Sequence, residues 1–152
     1  MARRGLLDLN GAGVSSVVVA ASALVAALAV ATAIGVVVTR RSGVLRETAS
    51  ETRADTSDLG LSASGPTVVH FSAVWCGPCE AVRRVVDQVC AELPEVAHLE
   101  IDMGENPVAA KRLSVLSLPT TFIFDADGQQ RYRTAGVPKA ADLRAALQPL
   151  VA

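Results

Sequence analysis

The chain has 152 residues, a formal net charge of −1 and three cysteines. That length suits one domain with an appendage. A near-balanced charge gives no reason to expect a nucleic-acid partner, and so few cysteines, in an odd number, exclude a disulfide-rich secreted scaffold. The charge divides unevenly: residues 1–53 hold six Arg against three acids, a difference of +3, and residues 54–152 hold eight Lys/Arg against twelve Asp/Glu, a difference of −4.

Residues 1–13 read as an N-terminal tail. Residues 14–38, VSSVVVAASALVAALAVATAIGVVV, carry no charge, no Pro and no side-chain amide over 25 positions. As a helix that run reaches about 37 Å, against about 30 Å for a bilayer core. A chain this short offers no protein body large enough to bury it, so 14–39 is expected as one transmembrane helix, with some tilt. The rival is a cleaved signal peptide, with Arg3 and Arg4 leading and Ala31-Thr32-Ala33 as the cleavage site. The apolar run is longer than such peptides use, passes that site to Val38, and stops at Arg40 and Arg41. Arg3 and Arg4 flank one end; Arg40, Arg41, Arg46 and Arg53 follow the other. This bias leans toward a single-pass protein of the cell membrane with its C-terminal domain in the cytoplasm. Ala23, Ala27, Ala31 and Gly35 form a small-residue stripe that could support a weak homodimer through the helix, although Ala is common enough here for such a stripe to arise by chance.

Residues 40–65 are rich in Ser, Thr, Gly and charge, and read as a flexible polar tether with a short element near Leu59-Gly60-Leu61. From residue 66 the pattern changes. TVVHFS, 67–72, is β-branched and aromatic and reads as a buried strand. A helix follows CGPC, with Val82, Val85, Val86, Val89, Cys90 and Leu93 at spacings of three and four facing a core, and Pro94 closing it. A strand is expected over 96–102, a short helix from Asn106-Pro107 to Leu113, a strand over 120–124, a hairpin turn at 125–128, a strand over 129–134, and a last amphipathic helix over 139–150 with Leu143, Leu147 and Leu150 inward. The strand–helix–strand start implies a right-handed parallel crossover, and the later hairpin adds an antiparallel edge. The expected fold is therefore α/β, with a mixed central sheet flanked by helices.

The position of CGPC, between strand and helix, carries the chemistry. The thiolate is the reactive form of cysteine, and a helix N-terminus favours it through unpaired N–H groups and the positive end of the helix dipole. Cys76 takes that place, with Cys79 one turn further in. Gly77 permits the tight turn and Pro78 suits the first helical turn. The spacing makes a dithiol able to attack a disulfide and then resolve itself. Two other readings compete. A zinc site wants four ligands, and beyond this pair only Cys90, His70 and His98 are at hand, on a core stripe and in strands. An inert structural disulfide would gain little from so small a loop. No metal is expected. Cys90 reads as a small buried hydrophobe.

WCGPC after a short strand and before a helix resembles the thioredoxin family, and the likeness runs over 66–152. VVHFSAVWCGPC resembles the family's strand and active-site entry, HLEIDMGENP its next strand and turn, LSLPTTFIF its cis-proline loop, and AGVPKAADLRAAL its closing Gly and last helix. The resemblance implies a thioredoxin-like fold in which Cys76 attacks and Cys79 resolves. It implies that Trp75 flanks the site, that Leu118 and Pro119 form the wall where a substrate backbone pairs, and that Gly136 keeps the approach surface flat. It implies no cofactor beyond the Cys76–Cys79 redox disulfide, with protein disulfides as substrates and an upstream reductant. The sequence departs from the family at three places. His70 stands where the family usually has a buried Asp six residues before the first Cys, and His98 where a Lys often partners it. Arg84 replaces the helix proline. His70 is either a proton relay near neutrality or a neutral packed imidazole. The family's first strand and helix look shortened or missing before Pro66.

Together these features read as a membrane-anchored thiol–disulfide oxidoreductase, a reductase by the resemblance of its Gly-Pro centre to reducing members. The alternative is a membrane-tethered binding module that uses the Trp75/Pro119 groove with little turnover.

Overall fold

A computed structural model describes residues 8–48 and 56–151. It divides into two units, residues 1–41 and 42–152.

The first unit is helix α1, Asp8–Arg41, which starts earlier than position 14. Within it Val17–Thr39, 23 residues of mean hydropathy 2.6, is long and apolar enough to cross a membrane, a property that membrane spans share with signal sequences. Its hydroxyls are satisfied inside the helix: Ser22 donates to Val19 O at 2.9 Å, Thr32 to Leu28 O at 2.8 Å and Thr39 to Gly35 O at 2.8 Å. Such back-bonding lets hydroxyls sit in an apolar helix without an external partner.

The second unit holds a five-stranded sheet. Its elements are β1 (Arg46–Glu47), β2 (Thr67–Ser72), helix α2 (Gly77–Glu92), β3 (Ala97–Asp102), α3 (Pro107–Arg112), β4 (Thr120–Phe124), β5 (Gln130–Ala135), α4 (Ala140–Leu147) and a 3₁₀ turn at Gln148–Leu150. The strand order is β1-β5-β4-β2-β3. Strand β3 runs parallel to β2; β4 is antiparallel to β2 and β5, and β1 to β5. The sheet is mixed, as expected.

Strand β2 is buried at every position because it lies between two strands with a core on each face; Val68, Val69 and Phe71 fill those cores, and Thr67, His70 and Ser72 are buried polar residues. On one face Val68 and Ile123 pack with Val82, Val86 and Val89 of α2 and Leu143 and Leu147 of α4. On the other Val69, Phe71, Phe122 and Phe124 pack with Ala109, Ala110 and Leu113. The 125–128 turn is closed by the Asp125 carboxylate, which accepts from Asp127 N at 3.1 Å and Gln129 N at 2.8 Å.

Residues 40–65 differ from a purely flexible tether. Strand β1 lies within them, Arg46 opposite Arg133 and Glu47 opposite Tyr132. Gly43 N donates to Ala135 O at 2.6 Å and Thr48 N to Arg131 O at 2.9 Å. Leu45 packs on one core, and Leu59 and Leu61 on the other. Residues 49–55 lie outside the described residues. A two-residue strand has no periodicity to read; the edge of β5 recruits it, and Gly43 enters at φ +80°, where a Cβ would stand 2.1 Å from Val137 O.

Candidate active site

Register gathers one end of the sheet. Ser72 ends β2 opposite Asp102 of β3, Phe71 lies opposite Thr120 at the start of β4, and Thr120 opposite Ala135 at the end of β5. The segments that leave this end therefore converge: 73–76, 103–105, Leu118-Pro119 and Gly136. The Leu118–Pro119 peptide is cis, and Gly136, at φ +91°, donates its N–H to Pro119 O at 2.9 Å. A cleft of about 350 Å³ opens beside Trp75, lined by Ala73, Val74, Asp102, Met103, Gly104 and Glu105 as well.

At this end Cys76 and Cys79 are joined by a disulfide, with Cα atoms 5.5 Å apart. Cys76 is the N-cap of α2 and Pro78 stands in its first turn. Cys76 N donates to Ala73 O at 2.9 Å, which closes the turn out of β2, and Cys79 N to Cys76 O at 3.1 Å. The two sulfurs differ in environment. Cys76 is half-buried, whereas Cys79 is 2% exposed and its Sγ lies 3.9 Å from Phe71 O. Val74 and Trp75, 98% and 73% exposed, stand proud beside the pair, while Leu118 is half-buried and Pro119 buried. Gly77 and Pro78, between the two cysteines, are exposed.

Beneath α2 the two departures in β2 and β3 meet. His70 is fully buried, and its Nδ1 lies 2.8 Å from His98 Nε2, the rings stacked with centroids 5.0 Å apart. His98 Nδ1 lies 3.0 Å from Asp87 Oδ1 of α2. His70 Nε2 makes no hydrogen bond and faces Glu100 Oε1 at 3.5 Å. Glu100 is gripped by Arg83, Nε to Oε2 at 2.8 Å and an η nitrogen to Oε1 at 2.7 Å, and Arg83 also pairs with Glu80. Burial lowers the His70 pKa from 6.5 to about 4; Glu100 opposes this, and His98 and Arg83 add to it. The Arg83 hydrogen bond, with a smaller one from Ser72, holds the Glu100 carboxyl at about 2 against burial, which raises it.

Sequence reasoning singled out both histidines but not Asp87, Glu100 or Arg83. A signal existed: Glu80, Arg83 and Asp87 repeat at three and four on one helix stripe, and His98 and Glu100 alternate on one strand face. Arg84 touches this network only at its outer edge, its guanidinium 3.3 Å from Glu80 Oε1. Cys90 is a free, half-buried thiol whose pKa burial and the nearby Asp87 push up, the conditions that make a cysteine unreactive. Among the described residues no group of three or more His, Cys, Asp or Glu is arranged to hold a metal ion.

A family model described as Thioredoxin matches residues 49–149. A thioredoxin of Mycolicibacterium smegmatis is 40% identical over 88 residues, 55% of this chain and 78% of that protein. One of Chlamydia trachomatis is 40% identical over 75 residues, 49% and 72% of the two chains. Among solved structures, a chloroplastic thioredoxin z superposes with a TM-score of 0.53 at 34% identity, over 57% of this chain and 79% of that one. A mutant thioredoxin of Halobacterium salinarum superposes with a TM-score of 0.52 at 31% identity, over 57% and 75%.

Proposed function

The chain belongs to the thioredoxin family and is a thiol–disulfide oxidoreductase acting on protein disulfides with an external reductant; from that premise we propose a membrane-anchored disulfide reductase that works by two cysteines in turn. In the reduced protein, the Cys76 thiolate attacks a partner disulfide, forming a mixed disulfide and releasing the partner's other sulfur. Cys79 then attacks Cys76, frees the partner as a thiol, and leaves the Cys76–Cys79 disulfide for the upstream reductant. The supporting observation is the asymmetry of the pair: Cys76 is half-buried at the helix start, where its anion is favoured, and Cys79 is sealed 2% exposed behind it. Trp75, Gly77, Pro78, Leu118, Pro119 and Gly136 form the surface against which a partner segment lies. His70, buried on the face of β2 that packs against α2, exchanges the proton that Cys79 must lose in resolution and regain on reduction.

The anchor is the span over 14–39, retained rather than cleaved, with the catalytic domain on the cytoplasmic side. Its support is the length and hydropathy of Val17–Thr39 and the arginines that follow the run. Reduction of insulin by the full chain in mild detergent, driven by dithiothreitol, tests the activity. Turnover is expected for the wild type and not for Cys76→Ser; equal rates would sink the mechanism. Side and retention are tested together in intact cells. A cysteine placed within 40–65 of a variant lacking the three native cysteines should stay membrane-bound and resist an impermeant maleimide until the cells are opened.

A further inference from the structure

The hydrogen-bonded chain under α2 runs outward in one direction. His70 is 0% exposed, the His98 side chain 17% and the Asp87 side chain 62%. The links between them are 2.8 Å and 3.0 Å. An ionised carboxylate only accepts hydrogen bonds, and a neutral imidazole has one donor and one acceptor nitrogen. Of the two carboxylates that face the ends of the chain, Asp87 lies at 3.0 Å and Glu100 at 3.5 Å, so the closer one takes the hydrogen, and this orders the protons of the state before resolution. His98 Nδ1 carries the hydrogen that Asp87 accepts, so His98 Nε2 is the acceptor for His70 Nδ1–H, and His70 Nε2 is left bare. Among His70, His98 and Asp87, that nitrogen is the buried atom that makes no hydrogen bond. We propose that His98 and Asp87 are the outlet of the His70 proton path, carrying protons between the buried His70 and solvent. The proposal rests on the relay role of His70 advanced above.

The surroundings support a path that passes charge on without storing it. The groups that face His70 are His98 and Glu100 of β3, Arg83 of α2, and, across the β2–β4 pairing, the neutral hydroxyl of Thr121. Asp87 adds the carboxylate at the outer end, while Glu80 and Glu100 divide the charge of Arg83 between them. Burial disfavours a standing imidazolium at His70, with its pKa lowered to about 4. A hop in which Nδ1–H leaves as a proton arrives at Nε2 never creates that charge.

The step balances. In resolution the Cys79–Cys76 bond forms and the partner–Cys76 bond breaks. The partner sulfur leaves with the electron pair and takes a proton from solvent. The Cys79 thiol proton goes to His70 Nε2, the His70 Nδ1 proton to His98 Nε2, and the His98 Nδ1 proton to Asp87 and then to solvent. Both imidazoles are left in the opposite tautomer. When the upstream dithiol reduces the Cys76–Cys79 disulfide, Cys79 leaves as a thiolate and needs a proton. The chain then runs inward and restores both tautomers, so one catalytic cycle resets the path without turning a ring.

The test uses the full chain in mild detergent, in a Cys90→Ala background. Reduced protein is mixed with 5,5′-dithiobis(2-nitrobenzoate): the first thionitrobenzoate released reports attack by Cys76, the second resolution by Cys79. His98→Gln should slow the second release at least about tenfold, on the scale of general acid–base help, and leave the first unchanged. Asp87→Asn should slow it less and Asp87→Glu hardly at all, because the carboxylate sets the His98 tautomer. If His70→Ala slows resolution while His98→Gln and Asp87→Asn both run at the wild-type rate, the outlet is overturned and the role of His70 stands. If His70→Ala itself runs at the wild-type rate, both are overturned. Nitrogen-15 spectra of histidine-labelled, reduced wild type give a reading that no misfolded variant can confuse. The Nδ1–H tautomer is expected at both rings at neutral pH, and an Nε2–H tautomer at His98 would refute the path.

Discussion

The buried imidazole of His70 makes stability depend on acid in a window that can be worked out. His70 has a pKa of about 4 in the fold, below the ordinary 6.5, chiefly because of burial. Between those values the unfolded chain binds a proton that the folded chain does not, so stability falls as pH falls. The stabilising effect of neutral His70 is fully present above 6.5 and is lost on the way down to about 4. The difference of about 2.5, at about 1.36 kcal/mol for each, sets a ceiling of about 3 kcal/mol. Screening at the side where His98 and Glu100 meet solvent brings this to about 2 kcal/mol by pH 4.5. Glu100, held at about 2 instead of 4.5, acts in a lower window and does not contribute until pH falls below 4.5. The assay is urea unfolding by far-UV circular dichroism, in non-ionic detergent, at pH 7 and pH 4.5. With an m-value of about 1 kcal/mol per molar urea, the wild-type midpoint should drop by about 2 M. A His70→Leu variant, with no imidazole to titrate at this position, should show a drop smaller by nearly that amount. Parallel drops in the two proteins would refute a neutral buried His70.

Four further outcomes follow from the same geometry. Alkylation of the reduced protein at mildly acidic pH should mark Cys76 first; faster labelling of Cys79 or Cys90 would reverse the assignment of the nucleophile. Cys79→Ser should accumulate mixed disulfides in membranes, seen as added bands on non-reducing gels that vanish with reductant, and a variant without such bands that keeps full activity would count against a resolving Cys79. Gly43→Ala places a Cβ 2.1 Å from Val137 O at a φ of +80° and should cost about 1–3 kcal/mol in urea unfolding, whereas an unchanged midpoint would mean that the segment before β1 is not stitched to the sheet. His70→Asp, although it restores the family's residue, sets a second carboxylate beside Glu100, now 3.5 Å from His70 Nε2; it should lower the urea midpoint at pH 7, and a midpoint at or above wild type would show that Arg83 neutralises both acids.

Much of the domain could be read in the sequence because its signals are local and strong. TVVHFS is mostly β-branched and aromatic and TTFIF wholly so, and they became β2 and β4 at the expected bounds. The helix after CGPC follows from its three-and-four spacing; Val82, Val86 and Val89 of the expected stripe are buried, and Val85, Cys90 and Leu93 are half-buried. The last helix is shorter than 139–150 because Pro149 offers no N–H, so the chain tightens into a 3₁₀ turn at Gln148. Strand β1 was out of reach, since nothing in Arg46–Glu47 distinguishes a strand from a linker until β5 lends it an edge.

The polar chain beneath α2 was hidden for a different reason. His70 stood out as a single departure, but its surroundings depend on three phases agreeing at once. The parallel register sets His70 opposite Glu100 and Val68 opposite His98, so His98 and Glu100 flank His70 along one face. A slip of one residue would turn both toward the α3 face and leave His70 without them. The phase of α2 then decides which of its charged residues reach β3: Arg83 meets Glu100 and Asp87 meets His98, whereas Arg84, one residue away, points to Glu80. No local window holds that information. The imidazole at 70 is tolerated only because these phases coincide. Without His98 its Nδ1–H would be buried unpaired, at a cost of about 1–3 kcal/mol, and without Arg83 the Glu100 carboxylate beside it would have no cation to hold it ionised. The departure at 70 is thus one member of a substituted set whose other members are set by strand register and helix phase.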